Sequence, residues 1–181
     1  MNYNPVQTSQ MPKRLKFLNF LWKIVNVTIF RFSPFFLRRF RVFLVRIFGG
    51  NVKWSSSLNR LAVIDFPWNF TVGEKSSIGE NSWIYCLDKV KIDDFVCIGK
   101  DVKLLTGSHD ISSPKFDLVT KPIVIKKGVW ISTGSYVLPG IIIEEYSVIG
   151  AGSVVTKNTN SFGVYGGNPA RFLKNRSLRE K

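Results

Sequence analysis

The sequence predicts an all-β fold with helical ends, a parallel β-helix built from hexapeptide coils. Three observations predict it. Aliphatic residues recur at every sixth position. One long excursion breaks the repeat beside the only histidine. The charge of the 181-residue chain sits at its two ends.

The repeat reads from residue 72 onward. Val72, Ile78 and Ile84 lead to Ile92, Ile98 and Leu104, and then to Ile125, Ile131, Val137, Ile143, Ile149 and Val155. Two positions before each of these, Phe70 aside, stands a small or β-branched residue, such as Ser76, Ser82, Ser135, Ser147 or Ser153. Glycine follows the aliphatic at Gly73, Gly79, Gly99 and Gly150. A period of six is neither the helical period of roughly 3.6 nor the strand alternation of about 2. It describes short strands joined by regular turns, each with one aliphatic inward, and three strands close a coil. A β-sandwich, with turns about every 8–12 residues, keeps no such step.

The repeat breaks twice. From Ile84 to Ile92 the step is eight, a two-residue bulge around Cys86–Asp88. From Leu104 to Ile125 it is twenty-one. Val119 and Ile123 fit one further hexad, which leaves nine residues, Asp110–Leu118, as an outward loop. Loops that interrupt a rigid scaffold tend to carry function.

The net charge of +14 is uneven: residues 1–60 hold eleven Lys/Arg and no acid, and 171–181 hold five basic residues and one acid. Between them ten basic residues face eleven acidic ones, so the body is not a nucleic-acid surface. Two cysteines without a Cys-x-x-Cys and a single histidine exclude a disulfide framework and a structural zinc site, and no metal is expected. The apolar run Ile24–Phe30 is far shorter than the roughly 20 residues of a spanning helix. Lys23 and the lack of a small-x-small site argue against a signal peptide. A cytoplasmic protein is expected.

The chain divides into a basic apolar helical segment (1–50), the β-helix (51–170, with the loop 110–118) and a basic tail (171–181). Ser33-Pro34 reads as a helix start, with Ser as N-cap and Pro at the first position, and Gly49-Gly50 as its stop. Lys16, Asn19, Lys23 and Asn26 form a polar stripe at helical spacing in an otherwise apolar helix. Capping the open end of the β-helix is the expected main role of this segment. Peripheral contact with an anionic membrane face is an additional one. Leu173–Lys181 reads as a short closing helix or tail.

His109, in Thr106-Gly107-Ser108-His109-Asp110, stands where the excursion begins. An imidazole, with an unperturbed pKa of ~6.5, is the natural general base at neutral pH. Either Asp110 or a backbone carbonyl would fix its tautomer. A nucleophile elbow, a Walker loop and a dinucleotide fingerprint are all missing from the sequence.

Taken together, the repeat, Thr106-Gly107-Ser108-His109-Asp110, Gly128-Val129-Trp130-Ile131, Ile149-Gly150-Ala151-Gly152-Ser153-Val154-Val155-Thr156-Lys157 and Gly167-Asn168-Pro169-Ala170-Arg171 resemble the hexapeptide-repeat O-acetyltransferases. The branch most similar is that of the colanic-acid and exopolysaccharide acetyltransferases, near the galactoside and maltose enzymes. Phe30-Arg31-Phe32-Ser33-Pro34, Arg46-Ile47-Phe48-Gly49 and Pro67-Trp68-Asn69-Phe70-Thr71-Val72-Gly73 resemble that branch too.

The resemblance implies a left-handed β-helix, although the usual crossover rule favours the right hand. It also implies a homotrimer with active sites between neighbouring prisms. Acetyl-CoA would be the donor and His109 the base that deprotonates an acceptor hydroxyl. Trp130 matches a tryptophan beside the pantetheine, and Thr133 a residue whose N–H faces the thioester carbonyl. Ala151, Thr156 and Lys157 match positions along the pantetheine and phosphates. Arg171 matches a cation near the adenosine, and Lys174 stands where a relative has arginine. Tyr85, Cys86 and Asp88, on the bulge, are the candidates for the acceptor side. Cys86 replaces an asparagine common in relatives. The acceptor would be a sugar or a lipid-linked oligosaccharide in capsule or exopolysaccharide assembly, met in the cytoplasm or at the inner face of the plasma membrane.

Two other readings stay open. One is an acyltransferase of this fold with serine, an amino sugar or an antibiotic as acceptor. The other is a trimeric scaffold without catalysis. A carbonic anhydrase on the same prism would need three histidines at zinc and is set aside.

Overall fold

The structure, a computed structural model, describes residues 11–178. It is a left-handed parallel β-helix with a helical cap at one end and a β-hairpin at the other. The first coil consists of β1 (Asn51–Val52), β2 (Ser57–Leu58) and β3 (Val63–Asp65). The second holds β4 (Phe70–Val72), β5 (Ser77–Ile78) and β6 (Trp83–Tyr85), and the third β7 (Val90–Ile92), β8 (Cys97–Ile98) and β9 (Lys103–Leu105). An arm of β10 (Gly107–His109) and β11 (Leu118–Thr120) follows. The fourth coil is β12 (Ile123–Ile125), β13 (Trp130–Ile131) and β14 (Tyr136–Val137). The fifth is β15 (Ile142–Ile143), β16 (Val148–Ile149) and β17 (Val154–Val155). Like strands of successive coils stack in parallel into three faces. Face A begins with β1, face B with β2 and face C with β3.

The sixth-position aliphatics are the core. From Val72 to Val155 all twelve are buried in inner ladders. The repeat also begins one coil earlier than the count from Val72. Val52, Leu58 and Ile64 keep the six-residue step and are buried in the first coil, which the eight-residue step to Val72 separates from the rest. The small residues two positions back turn the corners. Ser76, Ser82 and Ser135 are buried, and their hydroxyls donate to carbonyls of the next coil, at Asp93 (2.8 Å), Gly99 (2.8 Å) and Gly150 (2.9 Å). Each side chain thus satisfies a backbone acceptor that burial would leave unpaired.

Val119 is not in a further hexad. It pairs antiparallel with Ser108 in the arm, half-exposed. The step from Leu104 to Ile125 is therefore one hexad plus fifteen residues, not two hexads plus nine.

The cap comprises α1 (Lys13–Val25), a π-helical turn (Asn26–Phe30) and α2 (Arg38–Ile47). Trp22, Phe30, Val42, Leu44 and Val45 are buried against the first coil, and the Trp22 indole N–H donates to the Ile64 carbonyl. The expected polar stripe divides: Lys16 and Lys23 are exposed, whereas Asn26 is buried and its amide donates to the Ala62 carbonyl. The expected helix start at Ser33-Pro34 does not form, and α2 begins at Arg38. Buried Arg41 explains the change. Its guanidinium donates to Ser33 Oγ and to the carbonyls of Pro34, Phe35 and Leu58, which holds residues 33–36 in a turn.

At the other end β18 (Gly163–Gly166) stacks on β16, and β19 (Arg171–Asn175) returns antiparallel to it. The tail is extended there rather than helical. Arg176 pins it by donating to the carbonyls of Gly128 and Tyr146.

Candidate active site

The turns from face C to face A share one edge of the prism, and that edge carries every irregularity of the repeat. The first crossing holds a 3-10 turn, Pro67–Asn69, and the second the bulge Cys86–Asp88. The third sends out the arm. The three crossings are bonded together. The Asn69 amide donates to the carbonyls of Cys86 (2.9 Å) and Leu87 (3.2 Å). Buried Thr106 donates through Oγ1 to the Tyr85 carbonyl at 2.7 Å and accepts the Asp88 N–H at 3.0 Å. Lys121 N–H donates to the Thr106 carbonyl and closes the base of the arm. Gly107 begins the arm with no room for a side chain. A Cβ there would stand 2.7 Å from Leu87 Cδ1 and 3.2 Å from Tyr85 Cε1.

His109 is exposed on the arm. Its Nδ1 lies 2.8 Å from the Phe116 carbonyl, and its ring stacks on the Phe116 ring, with centroids 4.3 Å apart and planes 11° apart. A carbonyl accepts only, so Nδ1 carries a proton, and in the neutral imidazole the lone pair is therefore on Nε2. Of the two orienting groups the sequence offered, the carbonyl holds this position. Asp110 instead accepts from the Ser112 N–H and hydroxyl, and these bonds hold its pKa below the usual carboxylate range. The carbonyl of Phe116 reaches back because that residue takes a left-handed backbone, φ 52°.

Below the arm, face C presents Asp65, Tyr85 and Leu105 in register. Trp83 packs on Tyr85, and its indole N–H donates to Asp65 Oδ2 at 2.7 Å. Phe66 and Trp68 extend this wall. Burial, with the Asp65 charge second, raises the Tyr85 phenol pKa. Asp88 accepts its neighbour's N–H, from Lys89, at 2.7 Å. Cys86 is the exception among the three acceptor-side candidates. Its side chain is fully buried and points into the prism, so it packs and does not face an acceptor. Asp65, Trp83 and Phe116 belong to this region and were not singled out from the sequence. The parallel register that brings Asp65 beside Tyr85 is the missing signal.

The remaining candidates gather in two places. Residues 60, 80, 100, 133 and 151 occupy one turn position on the edge between faces B and C, two residues beyond the paired aliphatics. Arg60, Glu80 and Lys100 make its first part charged, with Lys100 and Glu80 paired at 2.8 Å. Thr133 and Ala151 make its last part small and neutral, and Gly152 N–H donates to the Thr133 carbonyl at 2.9 Å. The left-handed turn residues there are Gly134 and Gly152, both with φ near +66 to +69°. Trp130 lies on the outer side of face B, half-exposed. Lys157 and Arg171 line one open cleft with Asn158, Tyr165 and Phe172 at the end of the prism. Thr156 is exposed beside Lys157, and Lys174 is exposed on β19 opposite Val164. Face B is opposite the edge that bears the arm. One protomer therefore cannot bring Trp130 to His109.

Comparison with known proteins agrees with this architecture. Residues 122–157 match the family model described as bacterial transferase hexapeptide (six repeats). The chain is 36% identical over 156 residues to a putative colanic acid biosynthesis acetyltransferase, WcaF, of Escherichia coli (strain K12), covering 86% of each chain. Among solved structures, a galactoside acetyltransferase in complex with coenzyme A superposes with a TM-score of 0.85 at 25% identity, covering 93% of this chain and 86% of that one. A maltose O-acetyltransferase from Clostridium difficile 630 gives 0.82 at 26% identity, over 92% and 90%.

Proposed function

Because this chain belongs to the hexapeptide-repeat acetyltransferases, we propose that it transfers the acetyl group of acetyl-CoA to a sugar hydroxyl, with His109 as general base. The observation that carries this reading is the tautomer. Nδ1–H is committed to the Phe116 carbonyl, so the lone pair on Nε2 is the one available to a substrate proton.

In this mechanism Nε2 takes the proton of the acceptor hydroxyl as that oxygen attacks the thioester carbon. The carbonyl becomes an oxyanion, stabilised by the Thr133 backbone N–H. The intermediate then expels the coenzyme thiolate, and the imidazolium returns the proton to sulfur. The products are an acetyl ester and the free thiol. Nothing covalent forms on the protein, so catalysis rests on positioning, proton transfer and charge stabilisation.

The donor side fits the two clusters. The neutral run Thr133–Ala151 suits an extended pantetheine, with Trp130 beside it. The cations Lys157 and Arg171, with Thr156 and Lys174 nearby, suit phosphates. Since Trp130 and His109 lie on opposite sides of one prism, the reading requires a neighbouring copy, and a homotrimer supplies three such junctions. Tyr85, Asp88, Trp83 and Asp65 would meet the acceptor, a sugar or a lipid-linked oligosaccharide of capsule or exopolysaccharide assembly. The reading puts the enzyme in the cytoplasm, peripheral to the inner face of the plasma membrane.

The test is coenzyme A release from acetyl-CoA over a panel of sugars and oligosaccharides, for wild type and His109→Ala. A rate about 10²–10⁴-fold lower in the variant, with donor binding kept, is the expected result. Full activity in the variant would overturn the mechanism.

A further inference from the structure

The cap has two apolar sides, and the prism uses only one. Trp22, Phe30, Val42, Leu44 and Val45 already cover the open end. On the outside, Phe17, Phe20, Leu21, Ile24 and Val27 follow one another at helical spacing along α1 and its π-turn, all exposed. The turn that follows carries Phe32, Phe35 and Phe36, exposed by 77%, 81% and 67%. A capping role explains none of these rings.

The charge around them has one sign. Lys13, Arg14, Lys16, Lys23, Arg31, Arg38 and Arg39 are exposed among them, and the first acid of the chain is Asp65. At the border of this surface Arg38, Arg41 and Arg60 line one cleft with Asn59. Among the described residues Arg41 bonds to carbonyls and a hydroxyl there. Burial first, then the charges of Arg60 and Arg38, lower its pKa. Glu80 also acts on Arg60, but its Oε2 is held by Lys100 at 2.8 Å.

We propose that the outer face of the cap docks on an anionic lipid bilayer, its aromatic rings in the interface, its cations on the headgroups, and one headgroup phosphate in the Arg38–Arg60 cleft. This deepens the peripheral localisation given above and is independent of the chemistry at His109. Interfacial binding of this kind combines buried apolar area with attraction to anionic lipid. A two-fold contact with a second copy would instead set two acid-free cationic faces together. Among the described residues no helix is long and apolar enough to cross a membrane.

The experiment is co-sedimentation of the full chain with vesicles of phosphatidylcholine alone and of phosphatidylcholine mixed with phosphatidylglycerol. Binding at least ~10-fold stronger to the mixed vesicles, and reduced by high salt, is expected. Two further arms use changes at exposed residues, Phe35→Ser with Phe36→Ser, and Arg38→Glu with Arg60→Glu. Each pair should weaken binding to the mixed vesicles by ~10-fold or more while acetyl-CoA binding is unchanged. The wild-type comparison decides alone if a variant fails to fold. No sedimentation with mixed vesicles, or equal sedimentation with both kinds, overturns the proposal. So does a change in oligomer size without a change in vesicle binding, which would make the face a subunit contact. Loss of acetyl-CoA binding in wild type with vesicle binding intact would count against the catalytic reading alone.

Discussion

His109 and Phe116 are joined twice across the arm, by the hydrogen bond from Nδ1–H to the carbonyl at 2.8 Å and by the stacking of their rings at 4.3 Å. The two links separate experimentally. Phe116→Gly removes the ring but keeps the left-handed backbone, and so keeps the carbonyl on Nδ1. Loss of stacking alone is worth ~0.5–1.5 kcal/mol, or about 2–10-fold in kcat/KM. Phe116→Pro cannot take φ 52° and should displace the carbonyl, with a fall closer to that of His109→Ala. Steady-state kinetics of both variants checks this. Equal small losses would mean the carbonyl does not hold the ring in its working tautomer.

The seat of the arm is steric. Gly107→Ala puts a methyl 2.7 Å from Leu87 Cδ1, too close unless Leu87 moves. Overpacking of this kind costs ~1–3 kcal/mol, and here it should tilt the arm more than it unfolds the prism. Activity should fall about 5–100-fold with little change in Tm, by the same energy scale. Adding Leu87→Ala should restore most of it. A double variant no better than Gly107→Ala would show that Leu87 does not set the arm's position.

Lys157 and Arg171 face one cleft, and a phosphate there would bind both. Lys157→Ala and Arg171→Ala should each raise KM for acetyl-CoA by ~10–100-fold, the worth of a charged hydrogen bond of about 1.5–3 kcal/mol, with kcat nearly unchanged. ADP should inhibit the variants correspondingly less. An unchanged KM would leave the two cations as solvated surface.

The two thiols differ by environment. Cys86 is buried and Cys97 exposed, and burial first, then the Asp65 charge, pushes the Cys86 pKa well above the ordinary thiol value. A thiol reagent in mild alkali should therefore label one cysteine per native chain and two after denaturation. The linkage has a definite sign. The folded state holds the Cys86 proton more tightly than the unfolded state does. Stability should then decline as the pH rises past the ordinary thiol pKa. A Cys86→Ala variant should lose that part of the decline, measured as Tm against pH.

Much of the scaffold could be read from spacing alone, because an inward aliphatic every sixth residue is both the sequence pattern and the packing. The places where reading failed have physical causes. The first coil escaped because the eight-residue step from Ile64 to Val72 shifts the phase of the count by two. Val119 fits the count but pairs across the arm with Ser108, and antiparallel pairing leaves no mark on a six-residue period. Ser33-Pro34 has the residues of a helix start, yet Arg41, eight residues beyond Ser33, claims the nearby acceptors. His109 stood out in the sequence by its type and its position at the start of the excursion. Its orienting group did not, since the Phe116 carbonyl reaches it only through a left-handed residue that nothing in the local sequence demands.

The edge between faces C and A has a further consequence. Successive crossings there take steps of eight, eight, twenty-one and six residues, while every other step in the five coils is six. A single residue inserted on a face would turn inward side chains outward for the rest of that strand. At this edge steps of six, eight and twenty-one residues all leave the ladders above and below in register. Length is thus a free variable at one corner of the prism and a forbidden one elsewhere. A lineage, or an engineer, can lengthen or shorten the arm between His109 and Phe116 without asking the scaffold to refold around it.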